Sequence, residues 1–407
     1  VCTPLTYPSG DYTVVEFQNA GTCNWTVPSG VSQVDVLAVG GGGGGGAWVG
    51  GGGGGGGVTD TSVTTPSGVT VTPGSQISVT VGAGGSGAIK NSDGSLTNGT
   101  NGGTSTFAAS TPVTALGGGV GASWTDQKAG TGSNVATGGG GSQTTGNTGK
   151  PGTGQTSNGG AASTDNQPHP TGGGGGAGGD GNPSTGTDCG VGVGGAGGPG
   201  ASSSLTGTAV HYGGGGGGAV HGAVADAGDC GSNTWGTSGV GGIGGGATGA
   251  SASSVSDTPT APSGTDGLGG GGGGAATVYT TTYTNTSQGG DGGNGVVIVR
   301  YQLDMTAPTV SSVSLPSDGS YKATDTLSFT VNTSEPVTVV TSSGTPRIEL
   351  TIGGSTAYAE YASGSSSSAL VFNYTVQAGD TDSDGIVIGA LSANGGTLKD
   401  AAGNDLN

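Results

Sequence analysis

Hydrophobic residues in this chain come in short alternating runs, set between long stretches that have almost no side chains. Near the N-terminus Tyr12, Val14 and Glu16 alternate with Thr13, Val15 and Phe17. Trp25 and Val27 follow, then a turn at Pro28-Ser29-Gly30, then Val34, Val36 and Ala38 alternating with Asp35 and Leu37. Val69 to Val71 and Ile77 to Val81 repeat the pattern across a Thr-Pro-Gly turn, and Val296 to Val299 is a continuous apolar run. Such segments, bounded by Gly, Pro, Asn and Asp, predict short strands. Past Asp304, period two returns in Leu327, Phe329 and Val331, in Ile348, Leu350 and Ile352, and in Leu370, Phe372, Tyr374 and Val376. About seven short strands in ~100 residues is a sandwich pattern. No window carries a useful i, i+3, i+4 apolar stripe, so no helix is expected. The predicted class is all-β: a glycine-rich, sandwich-like domain over residues 1–302 and a second β-sandwich over 303–407.

The text between the strands is glycine, 102 of 407 residues. That share of about one in four compares with a usual ~7%. Gly40–Gly46 and Gly50–Gly57 flank Ala47-Trp48-Val49, and from Gly82 to Gly295 Gly-rich runs alternate with Ser/Thr/Asn-rich stretches. As free linkers these runs would be coils that gain nothing for being ordered. The ordered alternative is a polyproline-II-type helix with three residues per turn. Without Cβ atoms several such segments can pack side by side and bond amide to carbonyl between neighbours. Apolar strands at both ends of the region, and Cys189 and Cys230 inside it, favour this backbone lattice over a coil.

Charge narrows the function. Lys plus Arg number 7 against 25 Asp plus Glu, a net charge of −18, with eleven of the acids in 303–407. Phosphate binding needs cations, so no nucleic-acid partner is expected. No run of ~18 apolar residues exists, so no transmembrane segment is expected. The four cysteines, Cys2, Cys23, Cys189 and Cys230, form no Cys-x-x-Cys pair, which disfavours zinc. Their even number fits two disulfides in an oxidising compartment, with Cys2–Cys23 and Cys189–Cys230 the simplest of three pairings. The chain starts at Val1 without a basic or apolar leader, as expected of a mature exported protein.

Three stretches carry a resemblance to a known family. Trp25-Thr-Val-Pro-Ser-Gly-Val-Ser-Gln-Val-Asp-Val-Leu-Ala-Val-Gly-Gly-Gly, the Thr72–Gly85 segment and Gly292-Gly-Asn-Gly-Val-Val-Ile-Val-Arg-Tyr301 resemble the opening, second signature and ending of the bacterial and phage glycine-rich domain family. The resemblance covers most of residues 12–302. It implies a β-sandwich with Gly-rich excursions, a place in secreted surface or phage tail proteins, and no catalytic residues. Residues 306–407 resemble the bacterial Ig-like repeats of large surface adhesins. The carrying residues are Thr306-Ala-Pro-Thr-Val-Ser-Ser-Val, Thr326-Leu-Ser-Phe-Thr-Val, Leu350-Thr-Ile-Gly-Gly, Tyr374-Thr-Val-Gln-Ala-Gly-Asp and Lys399-Asp-Ala-Ala-Gly-Asn. Such repeats run on into a last strand, whereas this sequence stops at Asn407, so the expectation is either a fragment of a longer protein or an Ig-like sandwich that lacks an edge strand.

Candidate chemistry is sparse. Asp380, Asp382 and Asp384, followed by Gly385, match the first half of an oxygen-rich calcium loop, but position twelve is Leu391 where an EF-hand needs Glu. The competing reading is a solvated acidic turn. Asp304 could share calcium with a loop of the same region. His169, His211 and His221 have no metal-ligand spacing, although His211 and His221 flank a Gly run close to Asp226 and Asp229. The Gly runs lack the Lys-Ser/Thr and following helix of a phosphate loop. Trp48, Trp124 and Trp235, with Tyr212 and Tyr279, lie in Gly-rich text, where they either plug gaps or are displayed to stack on a ligand.

These readings converge on a non-catalytic, extracellular structural protein, a building block of a bacterial surface fibre or matrix. Its expected partners are neighbouring copies, joined by strand addition at an open edge. The alternative is an adhesion module of a surface adhesin or phage tail, binding a glycan or surface protein through Trp48, Trp124 and Trp235. Ice binding would need a regular Gly/Thr repeat, which is not found. No cofactor is required, calcium being the one ion the residues invite.

Overall fold

The computed structural model describes residues 3–65, 68–124, 129–130, 136–142, 157–163, 169–186, 191–223, 236–252, 258–279 and 285–407. The chain divides into two compact units. One holds Val1–Val27 and Gln33–Gln302, the other Leu303–Asn407 with Pro28–Ser32. Among the described residues no helix is long and apolar enough to cross a membrane. Among the described residues the single helix is one turn, Thr61–Thr64. It forms because Asp60 caps it, accepting from Ser62 N at 2.9 Å.

In the first unit two antiparallel sheets face each other. The larger places strands Leu5–Ser9, Tyr12–Phe17, Val296–Gln302, Gln33–Val39 and Val58–Asp60 side by side. The smaller orders Val113–Ala115, Ser105–Phe107, Gln76–Val81 and Gly21–Thr26. The register pairs Val15 with Val299, Phe17 with Val297 and Ala38 with Val297, so these side chains share one face. They meet the smaller sheet across Trp25, whose ring lies 6.0 Å from both Phe107 and Tyr301. The opposite face is buried as well: Val14, Leu37, Val39, Val296 and Ile298 pack under Leu205 and Tyr212. Burial on both faces explains why Val296 to Val299 reads as an unbroken apolar run rather than an alternating one.

The glycine runs continue from the strand ends as a lattice. Along Gly40–Gly45 successive amides donate to Gly57, Gly103, Gly293, Gly54, Thr100 and Gly290, at 2.8–3.1 Å. Every third amide thus returns to the same neighbour, the period of a three-residue helix. The carbonyls of Gly41, Gly42 and Gly43 accept from Gly118, Gly85 and Gly272 on three further segments, and those of Gly44, Gly45 and Gly46 return to the same three. One segment therefore has six hydrogen-bonded neighbours, the arrangement of hexagonally packed rods. Gly50–Gly57 is surrounded in the same way. A Cβ on Gly43 or Gly53 would be driven into a neighbouring carbonyl, Gly119 O or Gly43 O. This core contains almost no side chains, and every amide of Gly40–Gly46 and Gly50–Gly57 donates to a backbone carbonyl.

At the lattice margin, where a neighbouring rod ends, side chains supply the missing partners. Asp291 and Asn294, three residues and so one turn apart, accept from Gly87 N and Gly84 N at 2.8 and 3.0 Å. Thr171 Oγ1 donates to the carbonyls of Gly50 and Ala219. Ser105 Oγ donates to Val39 O at 2.6 Å and accepts from Gly82 N at 2.9 Å, fastening sheet to lattice.

The second unit is a seven-stranded antiparallel arrangement. Val310–Ser314, Thr326–Val340, Ser367–Thr375, Ser355–Ser363, Arg347–Ile352 and Val387–Ser392 lie in that order, and Thr397–Lys399 pairs with the far end of Thr326–Val340. Thr326–Val340 pairs with three strands: Val310–Ser314 and Ser367–Thr375 along its first part, and Thr397–Lys399 beyond the register shift between Asn332 and Val337. Pro336 sits in that interruption, where a residue without an N–H costs no ladder bond. Leu327, Phe329, Val331, Val337, Ile348, Leu350, Leu370 and Phe372 form the core.

Candidate functional site

A lattice that rejects side chains pushes chemistry to its ends. Gly40–Gly46 leaves the larger sheet and reverses through Ala47, Trp48 and Val49 into Gly50–Gly57, which returns to it. Trp48 and Val49 hold φ of 51° and 63°, a strained conformation for a β-branched residue such as Val49. Trp48 N donates to Ser287 Oγ at 3.1 Å, and Trp124 N donates to Trp48 O at 3.1 Å. The two tryptophans proposed from sequence as ligand-binding are thus neighbours at the far end of the lattice, and both are half-buried. Trp235 lies outside the described residues, as do Cys2, Cys189, Cys230, Asp226 and Asp229. Cys23 is buried in Gly21–Thr26 and is not a free thiol.

Lys90, which sequence reasoning missed, and two of the histidines it had set aside for want of a metal spacing join the tryptophans. Lys90 is 1% exposed, with Nζ 5.4 Å from the Trp48 ring centre and donating to Asn285 O at 2.5 Å. Burial lowers its pKa, against a smaller upward pull from Asp93. His169 stacks between Trp124 and His221, at 5.3 and 5.5 Å between ring centres. Burial, and then the neighbouring His169, push His221 down to about 3, so at neutral pH it is uncharged. These two histidines are far apart in sequence and meet because each ends a Gly run, Gly172–Gly176 and Gly213–Gly218, in adjacent rods. His211 is not with them: it is exposed, in strand Val210–Tyr212.

In the second unit the acids separate into two arrangements. Asp380 Oδ2 accepts from Tyr374 Oη and Gln377 N, both at 2.7 Å. Asp382 accepts from Gly353 N, Gly385 N and Asp384 N. These bonds, that from Gly353 foremost, lower the Asp382 pKa. The two carboxylates are engaged in holding the turn. The three carboxylates that do converge, among the described residues, are Asp304, Glu335 and Asp400, with oxygens within 4.8 Å of one another. Asn404 organises them: its N and Nδ2 donate to Asp400 at 2.8 Å, and Nδ2 reaches Asp304 O at 3.1 Å. Partial desolvation, then Asp304 and Asp400, raise the Glu335 pKa. Burial pushes Asp400 up, but the Asn404 and backbone bonds outweigh it and its pKa falls. Of this triad only Asp304 stood out in the sequence, because Glu335 and Asp400 sit in unrelated text and share no spacing.

A strand sandwich extended by a backbone lattice, with its non-glycine residues at the margins, defines a glycine-rich all-β protein. The chain belongs to the glycine-rich domain family, whose sequence profile matches residues 18–302. No curated protein matches it.

Proposed function

We propose that this protein is a non-catalytic, extracellular building block of a bacterial surface fibre or matrix. The observation that carries the reading is the lattice, in which rods saturate one another's hydrogen bonds with no charge and few side chains. Such a core suits a load-bearing or spacer role in which stability matters and chemistry does not. The acidic, Ig-like second unit is of the kind found in adhesin repeats, and copies associate by adding a strand to one of its edges. Head-to-tail addition that does not close yields a filament. The even number of cysteines, with Cys23 not a free thiol, is in keeping with export.

The test is negative-stain electron microscopy and sedimentation of the full chain at increasing concentration. Regular filaments, lost on substituting Pro into an edge strand of the second unit, are expected. Separate particles at every concentration would overturn the fibre reading. The aromatic groups gathered at the lattice end favour a second reading, an adhesion module, for which single knobs that bind cells would be the outcome.

A further inference from the structure

Outside the aromatic end lies a different feature, a cleft of about 350 Å³ on the outer face of the larger sheet. It opens between the end of Tyr12–Phe17, the start of Val296–Gln302, Tyr212 and the turn at Asp266. Ligand sites occupy ~300–1,000 Å³, so this one has room for a small ring system. At its base Ile298 and Val296 are almost fully buried, so Leu268 at the side is the apolar surface within reach, and the rim carries Glu16, Gln18, Asn19, Asp266 and Asn294.

The rim is held in place by hydrogen bonds within the protein. Glu16 accepts from Tyr7 Oη at 2.5 Å and from Gln18 Nε2 at 2.9 Å. Asp266 Oδ1 accepts from Asn294 N at 2.8 Å. Asn294 Oδ1 is committed to Gly84 N, which orients its amide. The turn itself needs glycine at Gly267, with φ of 76°.

The lining selects among ligand classes. It contains no Lys, Arg or His, so an anion finds no counter-charge. Glu16 and Asp266 belong to no cluster of three possible metal ligands among the described residues. An apolar ligand would displace water from the remaining lone pairs of the two carboxylates and put nothing in its place. A ring with hydroxyls on its edge and C–H groups on its face matches this lining: the hydroxyls donate to the remaining lone pairs of Glu16 and Asp266, and the face rests against Leu268.

We propose that this cleft is a saccharide-binding site, with Glu16, Asp266, Asn19 and Asn294 reading the hydroxyls of a neutral pyranose. The inference goes beyond the structural reading and does not depend on filament formation.

The full chain is applied to a microarray of mono- to tetrasaccharides, and hits are measured by calorimetry with the free sugar. Saturable binding is expected at a Kd of about 1 mM or tighter. Asn19→Trp, which fills the rim from an exposed position, and Asp266→Ala are each expected to weaken it at least tenfold. Circular dichroism of both variants checks the fold. Should Asp266→Ala unfold the turn, Asn19→Trp alone decides. No binding to any sugar, binding that both folded variants retain, or calcium alone giving the same calorimetric signal would overturn the assignment.

Discussion

At the scale of single residues, the cost of a methyl group depends on where the glycine sits. Gly53→Ala drives a Cβ into the carbonyl of Gly43, which is backbone locked by its own bonds and unable to yield. Overpacking a rigid site costs about 3 kcal/mol, and thermal denaturation of the variant should show a correspondingly lowered Tm. Gly319→Ala meets nothing and should be neutral or stabilising by about 0.5 kcal/mol through the unfolded chain. Equal effects at both sites would contradict the lattice. His221 gives a pH signature. Its folded pKa, about 3, lies below the ordinary 6.5, so between those values the unfolded state binds the extra proton. Stability then falls as pH drops from 6.5 toward 3, by up to about 1.4 kcal/mol per pH unit from this group. Urea unfolding of His221→Gln against the parent, from pH 6.5 to 4, should show a shallower decline in the variant.

At the scale of elements, the closing strand Val296–Gln302 joins the two ends of the glycine-rich unit, and one ion pair secures its far end. Arg300 donates to Asp35 Oδ2 through Nη2 at 2.6 Å and Nε at 3.1 Å, and its guanidinium lies 4.5 Å from the Tyr12 ring centre. Both side chains are 21% exposed, between a surface pair of ~0–1 kcal/mol and a buried one whose breakage costs several. Arg300→Gln should therefore destabilise by about 2 kcal/mol. A double-mutant cycle with Asp35→Asn tests whether that loss belongs to the pair. The strands themselves were legible in sequence, since Val34 to Ala38 and Leu327 to Val331 carry their period in plain view. The single helical turn at Thr61 was not, because it rests on one cap by Asp60 rather than on any periodic pattern. The convergence of Asp304, Glu335 and Asp400 was also hidden, as the three lie far apart in sequence and Glu335 falls within the register shift between Asn332 and Val337.

At the scale of the whole molecule, order in the glycine segments is the central expectation. Hydrogen exchange followed by mass spectrometry should find amides of Gly40–Gly46 and Gly50–Gly57 protected to the level of strand Val296–Gln302. A coil would exchange them at the unprotected rate. The sequence alone determined that this chain is all-β and that its glycine runs have to pack backbone to backbone if they are ordered, because a helix is too costly and no side-chain core exists there. It determined the strands, through alternation, and a membership in the glycine-rich family, through the motifs at either end. Only the tertiary structure decided which rod lies beside which, since identical glycine segments carry no side-chain information to specify a neighbour. It also decided that His169 meets His221, that Lys90 lies over Trp48, and that Glu16 and Asp266 face one cleft. Each of these pairs is distant in sequence, and proximity across a lattice follows from the paths of the rods rather than from any local spacing.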